Sequence, residues 1–555
     1  MNLYAALQDL RHETDTRIMW IDGLCINQED LAERASQVAM MGDIYRSATA
    51  VVVYLGHADY NHAFRVLKNL MLAALDFKPV IEGIQDTEEL SEAGRHVSGL
   101  ILTAILFHDV ENLFRLPWFT RCWTLQEIGL AKHAKLAYGM VEIPFGAFFS
   151  AVRRLTFHSG FKEPSKVEKF HKFISSAFIF NDFEMQKHPV GYKNLMKCTT
   201  FLDVLYEVRG RHATDLRDCV YAYLGHPTAA ALLEAYPSLM RPDYAKHPML
   251  VHLDFARAYL AHTHDLRILS CVDHGDTLAP PERMPSPSRQ SWAPIWVPSN
   301  LRSIFGMGRS FFYYHASYGL PNCHPRVESD GIFVHGLHVD TIKTCSPILR
   351  TRDFDHEAWM LKQHNGLKTV TDMIRAEAAP SPYDDAQLAL SLVLVAGLCD
   401  GSGIQEGRSL AQHILNFVNY TEHFKTDYPC IQLSRDETRS EYVSEAMEQI
   451  YLSVSEEARE STSIFPKYFV SVIAACDGRR VFITNKGYIG IGPAAMQAKD
   501  ECYVLCGGSV PFLLRPTGYQ TNQFIGEGYV HGLMKGEAAA MQTKYGLHLK
   551  EIHIC

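Results

Sequence analysis

The chain has 555 residues, 47% hydrophobic and 21% charged, with a formal net charge of −9. At about 150 residues per domain this suggests two to four domains, and the apolar content excludes a disordered chain. The acidic balance, with no Lys/Arg-rich block, argues against a nucleic-acid partner, which calls for a basic face.

The first element is R-I-M-W-I-D at 17–22, which reads as a buried strand ending at Asp22, followed by a polar loop with Cys25, Asn27 and Gln28. Asp30 then precedes Glu33 by three residues, a capping-box pattern, and Leu31, Val38, Met41, Ile44 and Tyr45 follow at helical spacing. T-A-V-V-V-Y-L at 49–55 is a second buried strand, closed by Gly56. Strand, helix and strand in so short a span read as a βαβ unit with a parallel sheet, and ligands of such sheets sit beyond the carboxyl ends of strands. The stretches 62–75 and 98–114 carry helical periodicity. L-P-W-F-T-R-C-W-T-L-Q-E-I-G-L-A at 116–131 reads as one helix, 135–138 as a short strand, and Pro144 as the start of a helix through Leu155.

Residues 160–265 read as mainly helical, 275–300 as a proline-rich loop, 326–350 as strands and 355–460 as mostly helical. From 468 the pattern becomes short strands with glycine turns, Asp477-Gly478 being a hairpin signal. The expected organisation is an α/β domain over 1–157, a mainly helical region over 158–465 and a small β-rich module over 466–555.

Thirteen scattered cysteines, an odd number without a framework of spacings, point to reduced thiols and a cytoplasmic home. No signal peptide is evident, and the longest apolar run, near 388–399, is too short for ~30 Å of hydrocarbon, so no membrane partner is expected. No G-x-x-x-x-G-K-[ST] or H-E-x-x-H occurs, and Cys502 and Cys506 lack a second Cys/His pair, so no metal site is expected.

Two constellations could carry chemistry. Asp22, Cys25, Asn27 and Gln28 form either a ligand-binding rim or a strand end whose Asp and Asn tie down loop backbone, with Cys25 packing as a small apolar group. Trp123 and Glu127, four apart, share a helical face near Trp118 and Arg121. A carboxylate beside large aromatics is partly desolvated, which raises its pKa. Such a group could orient a ribose hydroxyl or steady positive charge at a sugar carbon; equally, it could be a helix glutamate paired with Arg121 or facing water. Asp215, Arg217 and Asp218 read as a structural charge cluster, and Gly526-Glu527 as a turn and packing feature.

R-I-M-W-I-D-G-L-C-I-N-Q-E-D-L-A-E-R-A-S-Q-V-A-M-M-G-D-I-Y-R-S-A-T-A-V-V-V-Y-L-G (17–56) resembles the central motif of the fungal heterokaryon-incompatibility (HET) domain, and W-F-T-R-C-W-T-L-Q-E-I-G-L-A (118–131) its second signature. D-L-R-D-C-V-Y-A-Y-L-G (215–225), R-P-D-Y (241–244), S-W-A-P (291–294) and G-E-G-Y-V-H-G-L-M-K-G-E (526–537) resemble the body and tail of long members. The resemblance implies non-self recognition and programmed cell death, with self-association or an incompatibility partner protein. It also implies a distant relation to TIR domains, which are flavodoxin-like α/β units. Some of these cleave the nicotinamide–ribose bond of NAD⁺ with a helix glutamate in a Trp-Cys-x-x-Glu signature. Carried onto this chain, Glu127 is the catalytic carboxylate, Asp22, Asn27 and Trp123 line the nucleotide pocket, and NAD⁺ is a substrate rather than a cofactor. The alternatives are a non-enzymatic oligomerising signalling protein and an inactive member. HET domains usually open on a strand with an S-Y-x-W-G-like motif. Here M-N-L-Y-A-A-L-Q-D-L-R reads as the helix that follows it, so the first strand of the sheet is expected to be missing.

Overall fold

The computed structural model describes residues 2–12, 14–75, 112–157, 199–275, 290–296, 304–308, 312–353, 366–377, 381–399, 402–405, 407–426, 442–453, 465–518 and 520–555. Most of 98–114, the start of the helical stretch after 160, much of the proline-rich loop and most of the acidic 436–460 segment lie outside them. The chain forms two compact units, Met1–Val251 with Trp296–Ser299, and His252–Ile295 with Asn300–Cys555. The region 158–465 is therefore shared between the two units, and the expected boundary at 157 does not divide them.

In the first unit, helix α1 (Asn2–Asp9) is followed by the short α2 (Asp22–Cys25), the long α3 (Leu31–Ser47) and strand β1 (Val51–Tyr54). The α3 start follows the capping logic with a twist. Asp30 Oδ1 accepts from the Ala32 and Glu33 N–H groups at 2.9 and 3.0 Å. Glu33 Oε1, however, accepts from the Asn27 N–H at 2.9 Å rather than from the cap residue itself. Beyond β1 come α4 (Tyr60–Leu75), α5 (Thr124–Gly129), β2 (Ala134–Tyr138), β3 (Val141–Pro144) and α6 (Phe145–Phe157). Strand β2 lies parallel to β1, Val51 opposite Ala134, and antiparallel to β3. Gly139, at φ +55°, makes the β2–β3 turn, where a Cβ would lie 2.5 Å from the Ala58 carbonyl oxygen. Leu67, Leu70, Phe119, Leu136, Phe148 and Val152 lie in the core beneath this sheet.

Three expectations change here. Residues 17–21 are not a strand: no ladder reaches them, and Ile18 is 96% exposed. A short apolar run is not a strand without a partner edge, and of these residues Trp20 packs edge-on against Tyr45 at 5.9 Å. The parallel pair is thus β1 with β2, not 17–22 with 49–55. The single helix over 116–131 is also broken, into a 3₁₀ turn at Pro117–Phe119 and α5. The backbone between them leaves the helix to pair with His212: Cys122 N–H donates to the His212 carbonyl at 3.0 Å, and His212 N–H to the Thr120 carbonyl at 2.7 Å. Third, Pro144 ends β3 and the helix begins at Phe145.

The second unit is built around strands β4 (Arg326–Val327) and β5 (Ile332–Cys345), helices α9 (Ala386–Val393), α10 (Arg408–Thr426) and α11 (Phe465–Cys476), and strands β6 (Arg479–Thr484), β7 (Ile489–Pro493), β8 (Glu501–Leu505), β9 (Phe512–Gly518), β10 (Thr521–Glu527), β11 (Tyr529–Val530) and β12 (Lys550–Ile554). (Helices α7, Phe201–Val208, and α8, Asp218–Tyr221, belong to the first unit.) Strands β8, β9, β10, β12 and β5 pair in turn, and β8 pairs back onto β5, so the ring closes into a barrel. Closure removes the exposed edges that a short-stranded sheet would present. One stave of this barrel, β5, comes from far upstream of 466. Beyond the ring, the far end of β5 pairs with β6, which leads to β7 and β11. Leu337, Val339, Phe482, Val504, Leu513 and Ile525 form the shared core.

Two buried polar groups are structural pins of this unit. Glu527 accepts from the Phe305 and Gly306 N–H groups at 2.6 and 2.9 Å and pairs with Arg479 at 3.4 Å. Inside the helices, the Ser391 hydroxyl donates to the Leu388 carbonyl at 2.8 Å and faces His413 Nε2 at 2.9 Å, so that nitrogen carries the proton. Burial, helped by His531, holds the His413 pKa down from 6.5 to about 3. Because the unfolded chain takes up this proton near 6.5 and the folded chain does not, stability is full above pH 6.5 and falls as pH drops toward 3. From pH 7 to pH 5 the loss is about 2 kcal/mol. Urea unfolding at the two pH values should show it in the wild type, and His413→Phe should lose measurably less.

Among the described residues, no helix is long and apolar enough to cross a membrane, and no group of three or more His, Cys, Asp or Glu side chains is placed to hold a metal ion.

Candidate functional site

The sequence brings α3, the 120–123 segment, α8 and the 241–244 segment to one buried carboxylate. Asp218 Oδ2 accepts from Trp123 Nε1–H at 3.1 Å, and Oδ1 accepts from the Tyr244 hydroxyl at 2.6 Å. Arg34, from α3, lies 3.7 Å from Asp218 and 3.2 Å from Asp215, with its guanidinium stacked 3.7 Å over the Tyr244 ring. Arg217 holds Asp215 through two charge-assisted bonds at 2.8 and 2.9 Å, and its Nη1 donates to the Tyr244 and Lys246 carbonyls. Burial opposes ionisation of Asp215, but the Arg217 bonds and Arg34 win, and its pKa is lowered. At Asp218 burial wins over the Tyr244 and Trp123 hydrogen bonds and the pKa is raised.

A cleft of about 400 Å³ opens beside this node, lined among others by Asp22, Gln28, Arg34, Arg121, Trp123 and Tyr244. Of the predicted site residues, Asp22 and Trp123 therefore meet at one cleft. Asp22 Oδ1 accepts from the Gly23 N–H at 2.7 Å, and Gln28 donates to the Asp22 carbonyl at 3.3 Å. Asn27 does not line the cleft. It is exposed, and its side-chain oxygen accepts from the Glu29 N–H at 3.1 Å, an Asx turn that shapes the loop. Cys25 is exposed rather than packed; the neighbouring Ile26 supplies the apolar anchor instead. Trp118 is buried in the sheet core against Phe119 and does not reach the cleft.

Glu127 is not among the residues that line the cleft. Burial raises its pKa from 4.5 to about 7; Arg121 works against that shift and Asp22 adds to it. Atoms hem the side chain in, yet part of its surface still reaches water. The Tyr45 hydroxyl shares this environment, and burial together with Glu127 and Asp22 pushes its pKa far up. Arg121 and Asp22, which do line the cleft, thus join the Glu127 carboxyl to it electrostatically.

Sequence reading missed Arg34, Asp218 and Tyr244 as site residues. D-L-R-D was visible as a charge cluster, but Arg34 lies 181 positions from its partner Asp215, and no local signal joins them. The chemistry available is a partly desolvated carboxylate beside a cleft with aromatic walls and both signs of charge. It suits a ligand with a flat ring and a polar or charged centre.

Two substitutions should move stability in opposite directions. The raised Glu127 pKa means stability present below pH 4.5 is lost as pH rises through about 7. Glu127→Gln should therefore stabilise the protein by about 2 kcal/mol at pH 8, after discounting for its residual exposure, and by little at pH 5. Asp218→Ala should destabilise it by about 3 kcal/mol at neutral pH, because Arg34, Trp123 and Tyr244 lose their common acceptor. Equilibrium denaturation at both pH values checks the pair.

Comparison with known proteins bears on identity. The family model described as "Heterokaryon incompatibility protein (HET)" matches residues 1–127, and that of the "Het-6 beta-barrel domain" matches residues 404–549. Ring strands β5 and β12 thus fall outside the matched barrel segment. "Heterokaryon incompatibility protein 6, OR allele" from Neurospora crassa is 23% identical over 590 residues, covering 97% of this chain and 84% of that protein. No solved structure matches. The N-terminal motifs, the barrel and the near full-length similarity agree: the chain carries a HET domain and a Het-6 barrel domain, and these support a place among the heterokaryon-incompatibility proteins of non-self recognition.

Proposed function

We propose that this HET protein acts in non-self recognition by driving a cell-death response from the cytoplasm, and that its N-terminal cleft does so by TIR-like hydrolysis of the nicotinamide–ribose bond of NAD⁺. The observation that carries the reading is Glu127, a carboxyl that burial holds at a pKa of about 7 and that is coupled electrostatically to Arg121 and Asp22 of the cleft lining. Nicotinamide leaves as a neutral group, so no general acid is needed. One ionised carboxylate suffices to steady the oxocarbenium-like sugar carbon. Trp123 offers an aromatic surface for a flat ring, and Arg121 offers charge for a diphosphate.

A second reading is a non-enzymatic protein that signals by self-association. It is favoured by the position of Glu127 off the lining and by the use of Asn27 within its own loop.

Purified full-length protein incubated with NAD⁺ separates the two. On the enzymatic reading the wild type consumes NAD⁺ at least about 100-fold faster than Glu127→Ala, the scale of losing one transition-state electrostatic group. Its kcat/KM rises with pH through an apparent pKa near 7, where Glu127 ionises. Equal background rates in both proteins remove this reading. A concentration-dependent mass in solution without turnover supports the second.

A further inference from the structure

Away from the cleft, the second unit places two free thiols together. Cys506 follows the last residue of β8, where Leu505 sits opposite Gly336 of β5 and Cys506 N–H donates to the His335 carbonyl at 2.8 Å. Cys323 lies three residues before β4, whose Arg326 pairs with Phe333 of the same strand β5. The segment leading to Cys323 is also tied to the turn after Cys506. Ala316 N–H donates to the Ser509 carbonyl at 3.0 Å, and Ser317 N–H to the Gly508 carbonyl at 3.2 Å. Held from both sides by one strand and one turn, the two thiols come near enough to act on each other electrostatically. Cys323 is partly exposed, whereas Cys506 is 2% exposed.

We propose that Cys323 and Cys506 are a redox pair, closed into a disulfide by peroxide and reopened by thiol reductants. The partly exposed sulfur reacts first: the Cys323 thiol gives up its proton, the thiolate attacks one oxygen of hydrogen peroxide, the O–O bond breaks to leave a sulfenic acid, and the departing hydroxide takes up the released proton to become water. The Cys506 sulfur then attacks the Cys323 sulfur, expelling hydroxide that takes the Cys506 proton and leaves as a second water. Two thiols have lost two electrons and two protons to one peroxide. Burial holds the Cys506 thiol up at about 12, which makes it a poor first target and assigns it the resolving role. Because the backbone on both sides is pinned to β5, closure asks for side-chain rotation rather than refolding, the condition that disulfide geometry imposes. The bridge fastens the segment before β4 to the barrel rim.

The test is peroxide treatment of the folded full-length chain, followed by alkylation of free thiols under denaturing conditions and peptide mass spectrometry. The expected result is a peptide pair joined through Cys323 and Cys506, released by dithiothreitol and absent in Cys323→Ser. The oxidised protein should also unfold at a temperature higher by about 5 °C, a shift that Cys323→Ser does not show. Because Cys506→Ser alters a buried position, the partly exposed Cys323→Ser is the deciding variant. Both cysteines found alkylated after oxidation would overturn the proposal, as would a Cys323 sulfinic acid with Cys506 still alkylated.

Discussion

Everything at the N-terminal cleft hangs on one buried carboxylate. Asp218 takes a proton donor from Trp123, another from Tyr244, and faces the Arg34 guanidinium. Those three side chains come from stretches of the chain with no local reason to meet. An acceptor-only group with several lone pairs is what lets an indole, a phenol and a guanidinium converge on one point. Burying that charge is costly, and the cost is met only while all its partners are present. The same bonds orient the Trp123 and Tyr244 rings along the cleft, so the wall and the pin are one construction.

The neighbouring Glu127 is the opposite case. Its environment opposes its charge, with only Arg121 in its favour, so the fold carries a carboxyl that it does not stabilise. A group kept at a cost beside an open cleft, with Asp22 and Arg121 as intermediaries, marks where chemistry is to be sought. Asp215, a few residues from Asp218, shows what a purely architectural carboxylate looks like: its Arg217 partner is in place and its charge is favoured.

In the second unit the corresponding constraint is β5. Its 14 residues serve β12 and β8 along one stretch and β6 along the other, so a single strand both closes the ring and carries the sheet beyond it. That double use explains why the barrel cannot be cut out at its C-terminal segment alone, and why Cys323 and Cys506, each tethered to β5, are neighbours.

Local chemistry in the sequence determined a good deal. The Asp30 cap with the periodicity of α3, the valine run of β1, the glycine turns of the barrel strands and the two long N-terminal motifs were all legible, because each depends on residues within one or two turns of each other. They led to the family, to Trp123 and to Glu127 with its raised pKa. What the sequence could not settle depended on partners far along the chain. Whether R-I-M-W-I became a strand hinged on a free sheet edge, and none pairs with it. Whether 116–131 stayed one helix hinged on His212, which draws the backbone out of it. Asn27 and Asp22 look alike as loop residues, yet one closes a local turn and the other reaches the cleft. Only the tertiary structure decided these, since hydrogen-bond partners and burial are properties of the assembled chain and not of any window of it.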